Sequence, residues 1–381
     1  MINKNVKILS LAFLFIFLAY DGVQQYTTAF FSDLGMVEMG FRVLLIVYLF
    51  FAFFSPLVVP LASRFGLKRA MVFGSFFYAL FIFSLVFGQE LLIYFSASLL
   101  GIAAALLWVG QQSYLIRLSD KRFYGKNSGF LTLFFHLGAT IGVLSFGVLT
   151  KFFNFEGASL LFGFFPLLGM FFLLRIDEVK ILNPPSFGFF KKIITNIQAL
   201  RIFSIWFVSR FVLGLIIGFL PLEIKEVLGT PHIGVLGSLF FVIPLILSYF
   251  WGNLSDKIGR NPMIFIFYIL AGFSLILLFF SRQPLFLISG VFILALSYSI
   301  IRPVAPAFLG DISTKDNLES LTALSFMASS SGVLSSLFIS LILQTKMIYL
   351  VSLGILFTSL LILIPVLKSD INHIRKNLED V

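Results

Sequence analysis

The sequence has 381 residues, of which 59% are hydrophobic and 12% are charged, with a formal net charge of +10 and no cysteine. Soluble domains average about 45–50% apolar and about 25% charged residues, and a soluble chain this apolar would expose aggregation-prone patches. The composition therefore excludes an ordinary soluble protein, and the lack of cysteine excludes disulfides, thiolate metal sites and a cysteine nucleophile.

The chain contains a series of apolar segments, each long enough to cross a bilayer, since one crossing needs about 20 residues. The first follows Lys4 and Lys7 and is longer than the apolar core of a signal peptide, so we interpret it as a retained span. The pattern predicts an all-α membrane protein with twelve spans. They are 7–31, 40–62, 69–88, 91–116, 128–151, 156–175, 201–222, 232–254, 262–281, 284–308, 320–343 and 346–367.

One long connection divides these spans into two groups of six. It contains Asn183-Pro184-Pro185, and paired prolines break any helix that crosses them. Lys191 and Lys192 follow among apolar residues, which favours a short helix in the membrane interface. We predict an N-terminal six-helix bundle at 1–175, a cytoplasmic linker at 176–200, and a C-terminal six-helix bundle with a cytoplasmic tail at 201–381.

The distribution of Lys and Arg predicts the orientation of the spans, because these residues are enriched in cytoplasmic loops. With the N-terminus inside, most of the 27 Lys and Arg are cytoplasmic, and so are both termini. This bias explains the net charge better than nucleic-acid binding does, and we expect a multi-pass protein of the plasma membrane. Five of these residues lie outside (Arg42, Lys151, Lys225, Arg282 and Lys346), and two lie within spans (Arg210 and Arg302).

A charged segment joins the second and third spans of the second half. It is Gly252–Asn261, which we call the second-half signature, and its first nine residues read G-N-L-S-D-K-I-G-R. A shift of 193 residues lays Leu61–Gly66 over Leu254–Gly259. We call the upstream copy, residues 59–69, the first-half signature. Such repeats are typical of transporters built from two parallel halves.

The second-half signature resembles the segment between the second and third helices of major facilitator superfamily transporters. The resemblance covers almost the whole chain and implies twelve transmembrane helices in two pseudo-symmetric six-helix halves around a central cavity. The upstream copy departs from the pattern, because Val59 replaces the glycine and Ser63 the aspartate.

The same resemblance implies that these segments form a cytoplasmic gate. Asp256 would accept hydrogen bonds at the N-terminus of a neighbouring helix, where the helix dipole favours negative charge. Because Ser63 has no charge, we expect the second-half copy to be the stronger. The alternative is that the charges only end the spans and set topology. The predicted gating residues are Gly252, Asp256, Lys257, Gly259, Arg260, Gly66, Lys68 and Arg69.

Three segments of the first half resemble a narrower branch, the uncoordinated-ninety-three-like proteins. They are Tyr20–Gln25, Ser55-Pro56 and Gly101–Leu115. Some members of that branch are described as ion-channel regulators or trafficking partners. The resemblance therefore keeps a non-transporting regulatory partner of another membrane protein as the alternative to a transporter.

The first span has a polar face, formed by Asp21, Gln24, Gln25 and Thr28 at helical spacing. A charge at mid-bilayer costs about 2.5–3.5 kcal/mol on insertion scales, and such charges mark function by default. Asp21 is therefore predicted to bind a cation or to take up a proton. The alternative is a structural ion pair that holds two helices together.

The fourth span places Trp108, Gln111 and Gln112 on one face. An indole and two amides can line a substrate pocket, because they supply stacking area and uncharged hydrogen bonds. Hydrogen bonds between helices, at about 1 kcal/mol each, are an equally good interpretation.

Two arginines lie within later spans, Arg210 on the seventh and Arg302 on the tenth, one turn after Tyr298. An arginine pair favours an anionic or carboxylate-bearing ligand, whereas the alternative is pairing that serves packing only. Pro303 and Pro306 are expected to bend or break the tenth span. The superfamily resemblance implies that spans one, four, seven and ten surround the cavity, so these residues are expected to share its site.

The sequence thus predicts a secondary active transporter that moves a small solute by alternating access, with protons or another ion as the coupling species. His136 is expected to be a packed histidine rather than a proton relay. Because Gly252–Gly259 follows a membrane helix and not a strand, it is no dinucleotide fingerprint. We expect no enzyme activity, no cofactor and no metal, and we expect the small-molecule substrate and the lipid bilayer to be the partners.

Overall fold

The computed structural model describes residues 2–33, 37–179, 181, 187–229, 231–343, 346–369, 374–375 and 378. Throughout these residues the regular structure is helical. The paired prolines at 184–185, which the sequence singled out in the linker, lie outside the described residues.

Most of the helices are long enough to span a bilayer. They are α1 (Lys4–Asp33), α2 (Val37–Phe65), α3 (Leu67–Val86), α4 (Glu90–Leu118), α5 (Tyr124–Phe162), α6 (Phe164–Leu173), α7 (Phe187–Thr195), α8 (Ile197–Gly218), α9 (Leu220–Leu228), α10 (Pro231–Ile258), α11 (Arg260–Phe279), α12 (Pro284–Ile312), α13 (Leu318–Ile342) and α14 (Met347–Lys368).

Eleven helical stretches of the described chain meet the length and hydropathy of a membrane span. One of them, Lys121–Leu173, has 53 residues, which at about 1.5 Å per residue is enough for two crossings of a hydrocarbon core about 30 Å thick. Asn154 interrupts this stretch with φ 54° and ψ −176°. It therefore contains the predicted fifth and sixth spans, which agrees with twelve crossings.

The contacts divide the chain into two compact units. The first unit comprises Met1–Ser119 and Leu131–Pro184, and the second comprises Asp120–Phe130 and Pro185–Val381. The start of α5 therefore belongs to the second unit, although it precedes the linker in sequence.

Glycine allows close helix contacts within the first unit. A Cβ at Gly22 of α1 would lie 2.9 Å from the backbone of Gly142 in α5, and a Cβ at Gly138 would overlap the carbonyl oxygen of Leu14. Because apolar side chains gain little by leaving lipid, membrane helices associate through such close packing. The contact between α1 and α5 fixes the rotation of α1 and hence the surroundings of Asp21.

Small residues act in the same way in the second unit, where α8 packs mainly against α13. A Cβ at Gly214 would lie 2.6 Å from Ser336, and a Cβ at Gly332 would overlap the carbonyl oxygen of Phe207. Gly214 of α8 and Gly332 of α13 therefore allow these two helices to pack closely.

Prolines have different effects in two of the spans. The predicted seventh span, 201–222, divides at Phe219 into α8 and α9, since Pro221 fits the first turn of a new helix but not the interior of an old one. In contrast, α12 continues through Pro303 and Pro306, so of the two expected outcomes, a bend or a break, the break does not occur. Prolines are tolerated in membrane helices because neighbouring groups can satisfy the freed backbone.

The predicted short helix of the linker corresponds to α7. Phe190 and Ile193 are buried, whereas Lys191 and Lys192 are exposed. The next helix starts at Ile197, four residues before the predicted span, because the Asn196 side chain accepts hydrogen bonds from two N–H groups of its first turn.

Candidate functional site

Asp21 lies near the middle of α1, beside two tyrosines of the first unit. The ring of Tyr78 on α3 packs edge-on against Tyr20 and Phe17 of α1, with ring centroids 5.0 Å and 5.7 Å apart. Phe17, one turn before Asp21, also packs against Trp108 of α4. Tyr78, a residue that the sequence analysis missed, therefore belongs to the aromatic cluster between the Asp21 segment of α1 and Trp108.

The rest of the predicted α1 face is more accessible than a packed core. Asp21 and Gln24 are half-buried and Gln25 is exposed, while the side chain of Thr28 lies outside the described residues. Partial exposure in the middle of an apolar helix is the arrangement expected of cavity-facing polar groups.

Aromatic rings surround Trp108. Its ring centroid lies 5.5 Å from Phe13, 5.1 Å from Phe17 and 5.6 Å from Phe135. Phe13, Phe17 and Asp21 recur at steps of four along α1, so they share one face. This spacing was the sequence signal that could have placed an aromatic cluster beside the carboxylate.

The amides that follow Trp108 are deeply buried. Gln111 is 3% exposed and Gln112 is 2% exposed. Tyr114, a little further along α4, donates its hydroxyl hydrogen to the carbonyl of Asp177 at 2.9 Å. The end of α4 therefore binds the start of the linker, while Trp108 remains half-buried.

In the second unit, Arg210 is half-buried on α8. Trp206, one turn earlier, packs edge-on against Phe326 with ring centroids 5.2 Å apart. The glycines that follow at steps of four, Gly214 and Gly218, meet α13. Trp206 and the two glycines thus hold α8 against α13, and Arg210 lies between them.

On α12, the guanidinium carbon of Arg302 lies 5.8 Å from the ring centroid of Tyr298. Tyr298 is 5% exposed and Arg302 is half-buried. The predicted proximity of these two residues is thus present as a cation–π contact.

The two units hold different members of the predicted set. Within the first unit, Trp108 packs against Phe13 and Phe17, which share the α1 face of Asp21. Within the second, the structure connects Tyr298 with Arg302. The first unit contains Asp21, Gln24, Gln25, Trp108, Gln111 and Gln112, and the second contains Arg210, Tyr298 and Arg302.

His136 belongs to the first unit and is 2% exposed. Its ring packs perpendicular to Phe135, with centroids 4.6 Å apart. This environment supports the interpretation of a packed histidine. The geometry does not support a proton relay role.

The second-half signature contains only one non-helical residue. α10 ends at Ile258 and α11 begins at Arg260, so Gly259 alone reverses the chain, with φ 92°. The first-half signature has the same design, with Gly66 at φ 91° between α2 and α3. Only glycine adopts this backbone region readily, which explains why both copies keep it.

Asp256 belongs to α10, and its side chain reaches the N-terminus of α5 within the second unit. Its Oδ1 accepts a hydrogen bond from the Gly125 N–H at 2.8 Å, and its Oδ2 accepts one from the Lys126 N–H at 2.7 Å. This is the type of contact that the sequence predicted for Asp256. Its role as a gate remains a prediction.

Gly252 is required by the same contact. A Cβ at Gly252 would overlap the Gly125 carbonyl oxygen, and a Cβ at Gly125 would overlap that of Gly252. A Cβ at Gly129, one turn along α5, would lie 2.5 Å from the Ser248 carbonyl oxygen. The end of α10 and the start of α5 therefore touch backbone to backbone, which brings Asp256 within reach of the α5 amides.

Arg260 is the centre of a buried ionic network. Its Nη1 lies 2.6 Å from Asp256 and its Nε lies 2.7 Å from Asp311, while the side chains are 5%, 6% and 16% exposed respectively. The exposed Lys257 lies outside this network. The sequence analysis missed Asp311, at the end of α12, because its partner Arg260 lies 51 residues away along the chain.

The first-half signature is stabilised in another way. The Ser63 hydroxyl donates to the Pro60 carbonyl of its own helix at 2.8 Å. Glu178, from the linker, instead accepts a hydrogen bond from the Lys68 N–H at 3.0 Å and lies directly over Gly66. Glu178 thus places a carboxylate at the N-terminus of α3, where the dipole favours it.

The linker is anchored by further contacts of the first unit. The Asn5 side-chain amide donates to Asp177 at 2.7 Å, and the Leu67 N–H donates to the Val179 carbonyl at 3.3 Å. Arg69 is exposed. Residues 177–179 therefore bind α1, α3 and α4, a role that their spacing along the chain does not reveal.

Comparison of the sequence with known families gives a match to the Major Facilitator Superfamily over residues 8–206 and 202–378. The chain is 33% identical to UNC93-like protein 3 of Arabidopsis thaliana over 143 residues, which are 38% of this chain and 28% of that protein. It is 28% identical to UNC93-like protein MFSD11 of Xenopus tropicalis, over 33% of this chain and 29% of that one. Both resemblances stated from the sequence are confirmed, although the matches span less than a third of these relatives' length.

The fold resembles solved transporters. The human organic anion transporter MFSD10 superposes with a TM-score of 0.77 at 13% identity, covering 95% of this chain and 100% of that one. The proton:xylose symporter XylE has a TM-score of 0.77 at 12% identity, covering 94% of each chain. A bacterial homologue of the iron transporter ferroportin has a TM-score of 0.74 at 15% identity, covering 95% and 99%. The predicted class, an all-α membrane protein of twelve helices in two halves, is confirmed.

Proposed function

Because this chain belongs to the Major Facilitator Superfamily, we propose that it is a secondary active transporter that moves a small solute across the membrane by alternating access. The observation that carries the proposal is the placement of Asp21, a half-buried carboxylate in the middle of α1. A charge at that position lowers stability and is retained for function by default.

We assign the proton or coupling cation to Asp21. Tyr20 and Tyr78, which pack against each other beside it, offer hydroxyl groups, and Trp108 packs against Phe17 one turn away. These groups can orient the carboxylate without neutralising it, so that its charge is available to a cation or a proton. Gln24, Gln25, Gln111 and Gln112 would supply uncharged hydrogen bonds to the solute.

Arg210 and Arg302 are the proposed ligands for an anionic or carboxylate-bearing part of the solute, since guanidinium binds carboxylate in a bidentate fork. The packing of Arg302 on Tyr298 supports this role by holding the cation in one orientation. One of the structures with the same fold is described as an organic anion transporter, which agrees with this class of solute.

The gate is assigned to the two signatures at the cytoplasmic side. Asp256, Arg260 and Gly252 form the stronger element, because Asp256 binds the α5 N-terminus and Arg260 holds it there. We propose that these hydrogen bonds break and re-form during transport. Lys257, Gly259, Gly66, Lys68 and Arg69 complete the predicted gating set. The positive-inside bias supports cytoplasmic termini, and the proposal extends to a location in the plasma membrane.

Alternating access can be tested by cysteine labelling, because the native chain has no cysteine. Gln25→Cys and Pro306→Cys place single thiols at an exposed position on α1 and a half-buried position on α12, and Lys315→Cys in an exposed turn serves as the labelling control. With an impermeant reagent, we expect conditions that raise labelling at position 25 to lower it at position 306. A fixed pattern at both, together with stable co-purification of a second membrane protein, would instead establish the regulatory alternative.

Coupling through Asp21 can be tested in proteoliposomes. Asp21→Asn preserves shape and removes the charge, so we expect a pH gradient to stop accelerating solute uptake. Gln24→Glu, which adds a carboxylate one turn away, is the matched control and is not expected to restore coupling in the Asp21→Asn background. Unchanged gradient dependence in Asp21→Asn would remove Asp21 from the coupling role.

A further inference from the structure

A cavity of about 440 Å³ opens at the end of the second unit where α10, α12 and α14 terminate. Small-molecule sites are commonly about 300–1,000 Å³, so the volume is adequate for a small ligand or a lipid headgroup. Its charged lining residues are Lys121, Arg122, Asp256, Arg260, Asp311 and Arg375. Four cations therefore face two carboxylates.

Both carboxylates already have partners. Asp256 accepts the two N–H hydrogen bonds of α5 and pairs with Arg260, and Asp311 pairs with the same guanidinium. Arg260 is consequently neutralised by two acids, and these three groups together have a formal charge of −1. The remaining cations of the lining are Lys121, Arg122 and Arg375, which give the cavity a formal charge of +2.

Arg375 is held in position by the tail that follows α14. Ile374 and Leu378 are each 1% exposed, and the Leu378 carbonyl accepts a hydrogen bond from the Asn317 side chain at 3.3 Å. An Nη of Arg375 donates to the main-chain carbonyl of Asp311. Among the described residues, none accepts a hydrogen bond from the buried Nε of Arg375. Arg375 is therefore held in position, and its Nε–H has no acceptor among the described residues.

The other two cations lie in the turn before α5. Lys121 and Arg122 are exposed. Arg122 also contacts Asp120 at 3.2 Å, with side chains 82% and 49% exposed. Exposed pairs of this kind contribute about 0–1 kcal/mol, so Arg122 remains available to a ligand that offers a better acceptor.

We propose that this cavity binds a phosphate group, from either an anionic lipid headgroup or a free phosphate compound. Three cations from two segments converge on one volume, and arginine and lysine are the residues that bind phosphate in proteins. The position at the ends of the apolar helices suits a phosphate at the membrane surface. The site does not depend on the solute transport proposed above, and its occupancy can be measured in a protein that does not transport.

The test is thermal unfolding of the full chain in neutral detergent. One arm titrates inorganic phosphate against chloride at constant ionic strength, and the other titrates short-chain phosphatidylglycerol against phosphatidylcholine. A ligand that binds the folded state raises the unfolding midpoint in a saturable way. We expect Arg375→Gln to weaken the apparent affinity by about 10- to 100-fold, the value of a lost charge-assisted hydrogen bond.

Two further variants keep the test decisive if Arg375→Gln does not fold. Lys121→Gln changes an exposed side chain and is expected to lower the affinity by roughly tenfold. Lys315→Gln removes the same charge from an exposed turn of the same unit, outside the cavity, and is expected to change nothing. Saturation by phosphate identifies a free ligand, and saturation by phosphatidylglycerol alone identifies a lipid headgroup. Saturation by neither probe, or an equal loss in Lys315→Gln, would overturn the proposal.

Discussion

The two signatures share a backbone turn and differ in their buried charges. Gly66 and Gly259 have nearly the same positive φ, but the members of the ionic network near Gly259 correspond to neutral residues in the first half. The shift of 193 residues pairs Asp256, Arg260 and Asp311 with Ser63, Leu67 and Leu118. The repeat thus preserves the chain reversal while replacing a complete ionic network by neutral residues.

In the first half, all three members of the network are absent together. A buried charge without a partner is far more destabilising than no charge at all, so loss of one member favours loss of the others. Leu67 is fully buried where Arg260 stands in the other copy. The first-half copy instead obtains its carboxylate from the linker, through Glu178.

The strongest test of the comparison is Arg260→Leu, which introduces the first-half residue alone. Asp256 and Asp311 would then lie close together without their shared cation, and we expect a loss of about 3–5 kcal/mol in the free energy of unfolding, the usual cost of breaking a buried pair. Equilibrium unfolding in mixed micelles measures this loss. Arg69→Leu, which changes an exposed arginine, should stay within about 0.5 kcal/mol.

The triple variant Asp256→Ser, Arg260→Leu, Asp311→Leu completes the conversion to the first-half residues. It should be more stable than Arg260→Leu alone, because no uncompensated charge remains. If the triple variant is the less stable of the two, the network would contribute more by attraction than its desolvation costs, and our account of the difference between the signatures would fail.

A smaller effect is expected from Gly252→Val, which introduces the residue found at position 59. Its Cβ would overlap the Gly125 carbonyl oxygen, and overpacking typically costs about 1–3 kcal/mol. Gly237→Val is the matched control on the same helix, since a Cβ there meets open space. Equal stability of the two variants would show that α10 and α5 do not need the glycine contact.

The smallest effect is expected from Glu178→Ala in the first unit. An exposed carboxylate that caps a helix contributes about 1 kcal/mol, so the unfolding midpoint should fall slightly and the effect should shrink at high salt. Glu226→Ala, another exposed glutamate, controls for the loss of charge. A loss as large as that of Arg260→Leu would mean that the linker contributes as much to the first unit as the ionic network does to the second.

The sequence by itself determined the number of spans, the repeat and the family, because long apolar segments and a glycine with positive φ are local requirements. Asp21 and Trp108 were also identified locally, as polar and aromatic groups that an apolar helix does not need. The polar contact of Asp256 with a helix N-terminus followed from the family resemblance and the dipole.

Only the tertiary structure decided which groups complete each site. Asp311, Arg375 and Glu178 lie far from their partners in sequence, and their contacts depend on how the helix ends come together in space. The same holds for Tyr78, which packs against Phe17 and Tyr20 of α1 from another helix. The length of an apolar segment and the backbone conformation of a glycine depend on residues that are close in sequence. The pairing of charges depends on residues that only folding brings together.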